Sequence, residues 1–227
     1  MKLVVDSANV EAIKNLHEFL PLDGVTTNPS IIVKENKEFF PLLRDIRNVI
    51  GDEKELFVQT ISEKAEEIVK EANYICNTLT GSILIKVPVT FEGIKAIKML
   101  KQDGIRTLAT TVYTPMSALM AAKAGAEYVA PYVNRIDNLT GNGVKVVSDI
   151  IQIFLAHNLP CKVLAASFKN VQQLQNVILS GTHGITAPSE LMKEVFNNPS
   201  VERDVKSFRE EWLSQYGKES KSLILTK

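Results

Sequence analysis

The chain has 227 residues, 45% hydrophobic and 23% charged, ordinary for a globular protein and enough for one large core or two small ones. Lys+Arg and Asp+Glu both number 26, so the net charge is zero and no global field steers nucleic acid or an acidic membrane. An anionic substrate has to be met by local groups.

In chain order, a strand over 3–6 follows Met1 directly, with no signal-peptide pattern ahead of it, and leads into a helix over 9–19. A strand over 24–27 is followed, after Asn28-Pro29-Ser30, by helical sequence over 37–50. A strand over 56–60 leads to 63–79, where Ala65, Ile68, Val69, Ala72 and Ile75 recur at helical spacing. A strand over 83–86 leads to a helix over 90–101, with Gly104 as its stop. A strand over 106–112 leads to a helix over 115–124, ended by Gly125. A strand over 127–132 leads, through a polar loop with Gly141 and Gly143, to a helix over 144–157. The last units pair 162–167 with 171–179, and 184–186 with a short helix over 189–195.

Eight strand–helix units imply parallel strands joined by helical crossovers. That number favours a closed barrel over an open doubly wound sheet, and no Gly-x-Gly-x-x-Gly follows the first strand. The expected fold is α/β, a single (β/α)8 TIM-barrel domain over 1–227, with 199–227 as a C-terminal helical tail. In that tail Val201, Val205, Phe208 and Trp212 form an apolar stripe, which either packs within the monomer or docks on a neighbouring subunit. No apolar run approaches a membrane span. Cys76 and Cys161 lack CxxC spacing and read as reduced thiols, while His17, His157 and His183 form no ligand cluster. A cytoplasmic protein with no metal and no other cofactor is expected.

Chemistry in such a barrel sits at the carboxyl ends of the strands. Those ends carry Asp6, Thr26-Thr27-Asn28, Gln59, Lys86, Thr110, Tyr132 to Arg135, Ser167 and Thr186, on strand bodies of Val, Ile, Leu and Ala. Asp, Asn, Thr and Ser at such points also serve as helix caps. A lysine, a tyrosine, an arginine and a glutamine are not explained by capping, and together they describe a polar pocket. Lys86 closes the run Ser82-Ile83-Leu84-Ile85-Lys86-Val87-Pro88. Its amine finds a partner, reaches water or loses its proton, and a neutral amine there attacks a carbonyl to form a Schiff base. Asp6 can relay protons, and Tyr132 can act directly or through a water held by Gln59. Asn28, Thr27, Thr110 and Ser167 suit sugar hydroxyls. Arg135 suits a phosphate with Ser167, unless it pairs with Asp137 or another surface acid.

Asp6, Gly24-Val25-Thr26-Thr27-Asn28-Pro29-Ser30, Lys86-Val87-Pro88-Val89-Thr90, the segment from Ala126 to Asp137 and Ala165-Ala166-Ser167 resemble the small-subunit transaldolase and fructose-6-phosphate aldolase family. The resemblance implies a (β/α)8 barrel and metal-free class I aldol chemistry, with Lys86 as the Schiff-base lysine. It also implies a homodecamer of two pentamers, in which the C-terminal helix packs on a neighbour. Within the family, transaldolases of the pentose phosphate pathway place glutamate where this chain has Gln59 and phenylalanine where it has Tyr132. They commonly place asparagine where it has Ala109. All three positions side with the aldolase, which releases free dihydroxyacetone and glyceraldehyde 3-phosphate. Transaldolase is the alternative; a non-catalytic phosphosugar-binding barrel is a remote one.

Overall fold

The computed structural model describes residues 1–217, in two compact units, one over 1–192 and one from Lys193 onward. The first unit opens with β1 (Lys2–Asp6), α1 (Val10–Phe19), β2 (Gly24–Thr26), α2 (Pro29–Lys34) and α3 (Phe39–Ile50). Then come β3 (Glu55–Gln59), α4 (Ala65–Thr78), β4 (Ile83–Pro88), α5 (Phe91–Gln102), β5 (Thr107–Val112) and α6 (Pro115–Ala124). It continues with β6 (Tyr128–Pro131), α7 (Val133–Asn138), α8 (Gly143–Ala156), β7 (Lys162–Ala165), α9 (Val171–Leu179), β8 (Gly184–Ala187) and α10 (Ser189–Glu194). The eight strands are parallel and close in sequence order, with β8 pairing back onto β1 through Val4 and Thr186. The expected (β/α)8 barrel is the fold.

Two cores follow from the period-two alternation of strands. Val4, Phe57, Leu84, Leu108, Tyr128, Ala130, Leu164 and Ala166 fill the barrel. Their strand neighbours Val5, Leu56, Val58, Ile85, Ala109, Val129, Val163 and Ile185 face outward beneath the helices. Each such Leu, Ile or Phe, fully buried, contributes about 1.5–3 kcal/mol. The same alternation carries past the apolar layer: after Val4 comes Asp6, after Leu84 comes Lys86, after Leu108 comes Thr110. Polar groups therefore enter the barrel at the strands' carboxyl ends.

Helix starts are set by side-chain caps. Asn9, Asn28, Thr90, Thr114, Asn142 and Asn170 each accept from the backbone N–H three residues on, satisfying a donor the helix leaves unpaired. Two close approaches require glycine. A Cβ at Gly24 would meet the Glu55 carbonyl oxygen at 2.2 Å, and one at Gly93 the Pro88 carbonyl oxygen at 1.9 Å. The second lets α5 seat against the end of the strand that carries Lys86.

The helices α2 and α7 depart from the sequence reading, which placed loops there. Asn28-Pro29-Ser30 reads as a turn, yet Asn28 caps and Pro29 occupies the first helical turn, a position where its missing N–H costs nothing. α7 has six residues, too few to show a helical period.

At the opposite, amino-terminal end of the strands the charges are paired. Arg106 forks onto Glu127 (2.7 and 2.9 Å) and reaches the buried Glu55 at 2.6 Å. The Tyr128 hydroxyl also faces Glu55, at 3.4 Å.

The second unit contains α11 (Pro199–Tyr216), capped by Asn198, whose side chain accepts from the Ser200 N–H at 3.0 Å. Val201, Val205 and Phe208 are 55%, 60% and 68% exposed, and the rings of Trp212 and Tyr216 lie 4.6 Å apart. Residues 218–227 of the expected tail lie outside the described residues.

Candidate active site

At the carboxyl ends of the strands is a cavity of about 280 Å³. Its lining includes Asp6, Thr26, Asn28, Lys86, Thr110, Tyr132, Arg135, Ser167 and Thr186. Seven of the nine residues expected at the site line it; Gln59 and Thr27 do not.

Lys86 is only 6% exposed, so the reading in which its amine stretches to water does not hold. Its Nζ donates to the Thr27 carbonyl at 2.5 Å, passing in front of β3, which lies between β2 and β4. Burial holds the Lys86 pKa below the ordinary lysine value, and the Asp6 carboxylate opposes this only in part. An amine that gives up its proton more readily is a better nucleophile at neutral pH.

Asp6 is the one acidic side chain in the cavity lining. The Thr26 hydroxyl donates to its Oδ1 at 2.7 Å and meets the Thr186 hydroxyl at 2.5 Å. This buried chain of hydroxyls, drawn from β2 and β8, fixes the carboxylate on β1.

The Tyr132 hydroxyl shares a hydrogen bond of 2.7 Å with Thr110 Oγ1. Burial raises the phenol pKa; the bond to Thr110 and the Arg135 charge pull the other way. Tyr132 therefore keeps its proton at neutral pH and can serve as an acid. Its ring stacks edge-on against Tyr113 at 5.8 Å, and the Arg135 guanidinium lies 4.6 Å from its centre. Thr110 is aimed by a bulge, since the β5–β6 register shifts between Ala109 and Val112, and Thr111 within it has a φ of 57°. Ser167 has a φ of 62°. Left-handed backbone at non-glycine residues costs on the order of 1–3 kcal/mol, and two of the five such residues among those described, Thr111 and Ser167, adjoin the cavity.

Arg135 belongs to α7 and not to a strand. The Val133 and Asn134 N–H groups donate to the carbonyls of Ala166 and Ser167, which ties Arg135 to the Ser167 loop. The surface pairing with Asp137 is absent, because Asp137 accepts from the Gly143 N–H and the Gln173 amide, both at 2.7 Å. Asn28 Oδ1 caps α2 by accepting from the Ile31 N–H, which leaves its amide nitrogen for the cavity.

Two placements differ from expectation. The Thr27 hydroxyl is spent on the Phe57 carbonyl at 3.0 Å, so Thr27 meets the site through its backbone carbonyl instead. Gln59 lines an adjoining, largely apolar cavity of about 450 Å³ with Phe39, Phe40 and Ile61. Alternation would put it inside the barrel level with Lys86, its register partner, yet it is not among the residues lining the Lys86 cavity. The sequence reading assigns neither Ser30 nor Lys34 to the site; both line the cavity from α2. The signal for them was the Asn-Pro pair as cap and first helical residue.

The family model for transaldolase/fructose-6-phosphate aldolase matches residues 3–223, nearly the whole chain. The chain belongs to this family, whose chemistry is of the class I aldolase type.

Proposed function

We propose that this family member is a fructose-6-phosphate aldolase. The neutral Lys86 amine adds to the C2 carbonyl, and loss of water leaves an iminium that draws electrons from the C3–C4 bond. As that bond breaks, the C4 hydroxyl proton passes to Asp6, glyceraldehyde 3-phosphate departs and an enamine remains on Lys86. Tyr132 protonates the enamine carbon, and hydrolysis of the new iminium releases dihydroxyacetone. Arg135 and Ser167 hold the phosphate, and Asn28 and Thr110 face the sugar hydroxyls.

The observation that carries this reading is the Tyr132 phenol, proton-bearing and braced by Thr110, in the same small cavity as the buried Lys86. A donor beside the enamine ends the reaction at free dihydroxyacetone, whereas a phenylalanine there would let the carbanion equivalent wait for a second aldehyde. One observation favours transaldolase as a second reading: Gln59, expected to hold the acid's water, lies outside the cavity.

Glyceraldehyde 3-phosphate release from fructose 6-phosphate, followed with and without erythrose 4-phosphate, separates the two. Release without the acceptor is expected; turnover only with it would make the chain a transaldolase. Borohydride should trap dihydroxyacetone on Lys86 in either case.

The same reading extends to assembly and place. It puts 1–227 in one functional barrel domain with its 199–227 tail, and the tail on a neighbouring subunit of a homodecamer, a use consistent with the exposed Val201, Val205 and Phe208. Sugar phosphates and two free thiols suit the cytoplasm. Among the described residues no helix is long and apolar enough to cross a membrane.

A further inference from the structure

We propose that Lys34 is a second phosphate-binding residue of this cavity, a specificity determinant that acts with Arg135 on the phosphorylated end of the substrate. This rests on the sugar-phosphate reading above and adds to it a cation outside the strand-end set.

Ser30, Ile31 and Lys34 all line the cavity. They stand at i, i+1 and i+4, so a single face of α2 forms one wall of the mouth. The Asn28 cap, itself a lining residue, fixes where that helix starts and hence where Lys34 ends up. β2, which leads into α2, and β6, which leads into α7, are four strands apart in a closed barrel of eight, so they lie on opposite sides. Lys34 and Arg135 thus approach the cavity from facing walls.

Neither is neutralised. Among the described residues no carboxylate lies within ion-pairing distance of either cation. Glu35, next to Lys34, instead accepts from the Asn9 amide at 3.3 Å. Asp6, the acid of the cavity, is engaged by Thr26 at its floor. A lone surface lysine is commonplace. Two unpaired cations on facing walls of one cavity repel each other until an anion enters, and a chain of zero net charge has no other field to attract one. The Arg135 fork supplies directional hydrogen bonds, and the Lys34 ammonium, on its flexible stem, supplies a point charge that follows the phosphate.

The test pairs binding of inorganic phosphate, measured by calorimetry, with a selectivity ratio. The ratio is kcat/KM for glyceraldehyde 3-phosphate over that for glyceraldehyde, with dihydroxyacetone as donor. Lys34→Met should weaken phosphate binding and lower the ratio, each by about tenfold, the scale of one charge-assisted contact. Lys34→Arg should recover most of both. In Lys34→Met the fall in phosphate affinity with added salt should also be shallower. A Lys34→Met ratio within about twofold of wild type, below the scale of such a contact, overturns the role of Lys34. If Arg135→Ala still lowers the ratio in that case, the sugar-phosphate reading survives and Lys34 alone is excluded. If wild type neither binds phosphate nor prefers the phosphorylated aldehyde, the sugar-phosphate reading fails, and the role of Lys34 fails with it.

Discussion

Lys86→Met should make the protein more stable at and just above neutral pH, and the gain should fade as the pH rises. The Lys86 pKa is lowered on folding, so between its folded value and the ordinary 10.5 the unfolded chain binds more protons than the folded one. Stability of the wild type therefore rises with pH across that window, and the burial penalty is fully present only below the folded value. The penalty shrinks steadily as the pH climbs through that window and is gone above 10.5. Methionine matches the lysine stem but leaves the Thr27 carbonyl without its donor, a pH-independent loss of about 1 kcal/mol. The net expectation is a stability difference that favours methionine most below the folded Lys86 value and turns to a loss of about 1 kcal/mol above pH 10.5. Guanidinium unfolding of both proteins at pH 6.5, 8, 9.5 and 10.5 reads the difference, and the other titrating groups cancel because they are shared. A stability difference that stays flat with pH would refute the claim that burial lowers the Lys86 pKa, and with it the physical basis for its nucleophilicity.

The chemistry gives further tests. Tyr132→Phe removes the acid and its bond to Thr110; release of free dihydroxyacetone should fall by about 10²–10⁴ while transfer to erythrose 4-phosphate gains relative to it. Unchanged partition between release and transfer would remove Tyr132 from that choice. Arg135→Ala should raise KM for phosphorylated aldehydes by the equivalent of about 1–3 kcal/mol, with a much smaller effect on unphosphorylated ones; equal losses on both would contradict the phosphate role. Ending the chain before Pro199 should lower the mass seen by light scattering before it lowers turnover per intact barrel, if the tail docks between subunits.

Much of the barrel was legible because strand and helix periods alternate cleanly, and residues such as Leu84, Ile85 and Lys86 follow one rule from core to site. What escaped notice was local. α2 and α7 are single short helices in which capping and backbone hydrogen bonds decide the conformation, and no period of apolar residues announces them. Without α2 there is no reason to single out Lys34; placing Arg135 just past the end of the sixth strand gave it the correct neighbourhood without its helix. Gln59 shows the opposite failure. It lies on the expected strand, in register with Lys86, yet it lines the neighbouring cavity, a placement that strand alternation alone does not predict. Thr27 was named for its hydroxyl, which is spent on the Phe57 carbonyl, and matters through a carbonyl that every residue has.

Charge pairing, which no sequence pattern here revealed, separates the two ends of the barrel. At the amino-terminal end, Arg106, Glu55 and Glu127 satisfy one another, and the hydrogen bonds from Arg106 hold the Glu127 carboxyl below its ordinary range. With Lys2 on Glu55 and Lys162 on Glu127, each carboxylate of this barrel floor has more than one cationic partner. At the carboxyl end, Lys86 is buried without a salt bridge, and Arg135 and Lys34 stand at the mouth with none among the described residues. Burying the Lys86 amine costs folding free energy through desolvation, and leaving Arg135 and Lys34 without ion pairs costs some through mutual repulsion at the rim. A ligand that brings a dianion to the rim relieves the repulsion there while its carbonyl meets the Lys86 amine. The separation of paired from unpaired charge thus points to the same substrate class as the acid–base geometry, by an independent physical route.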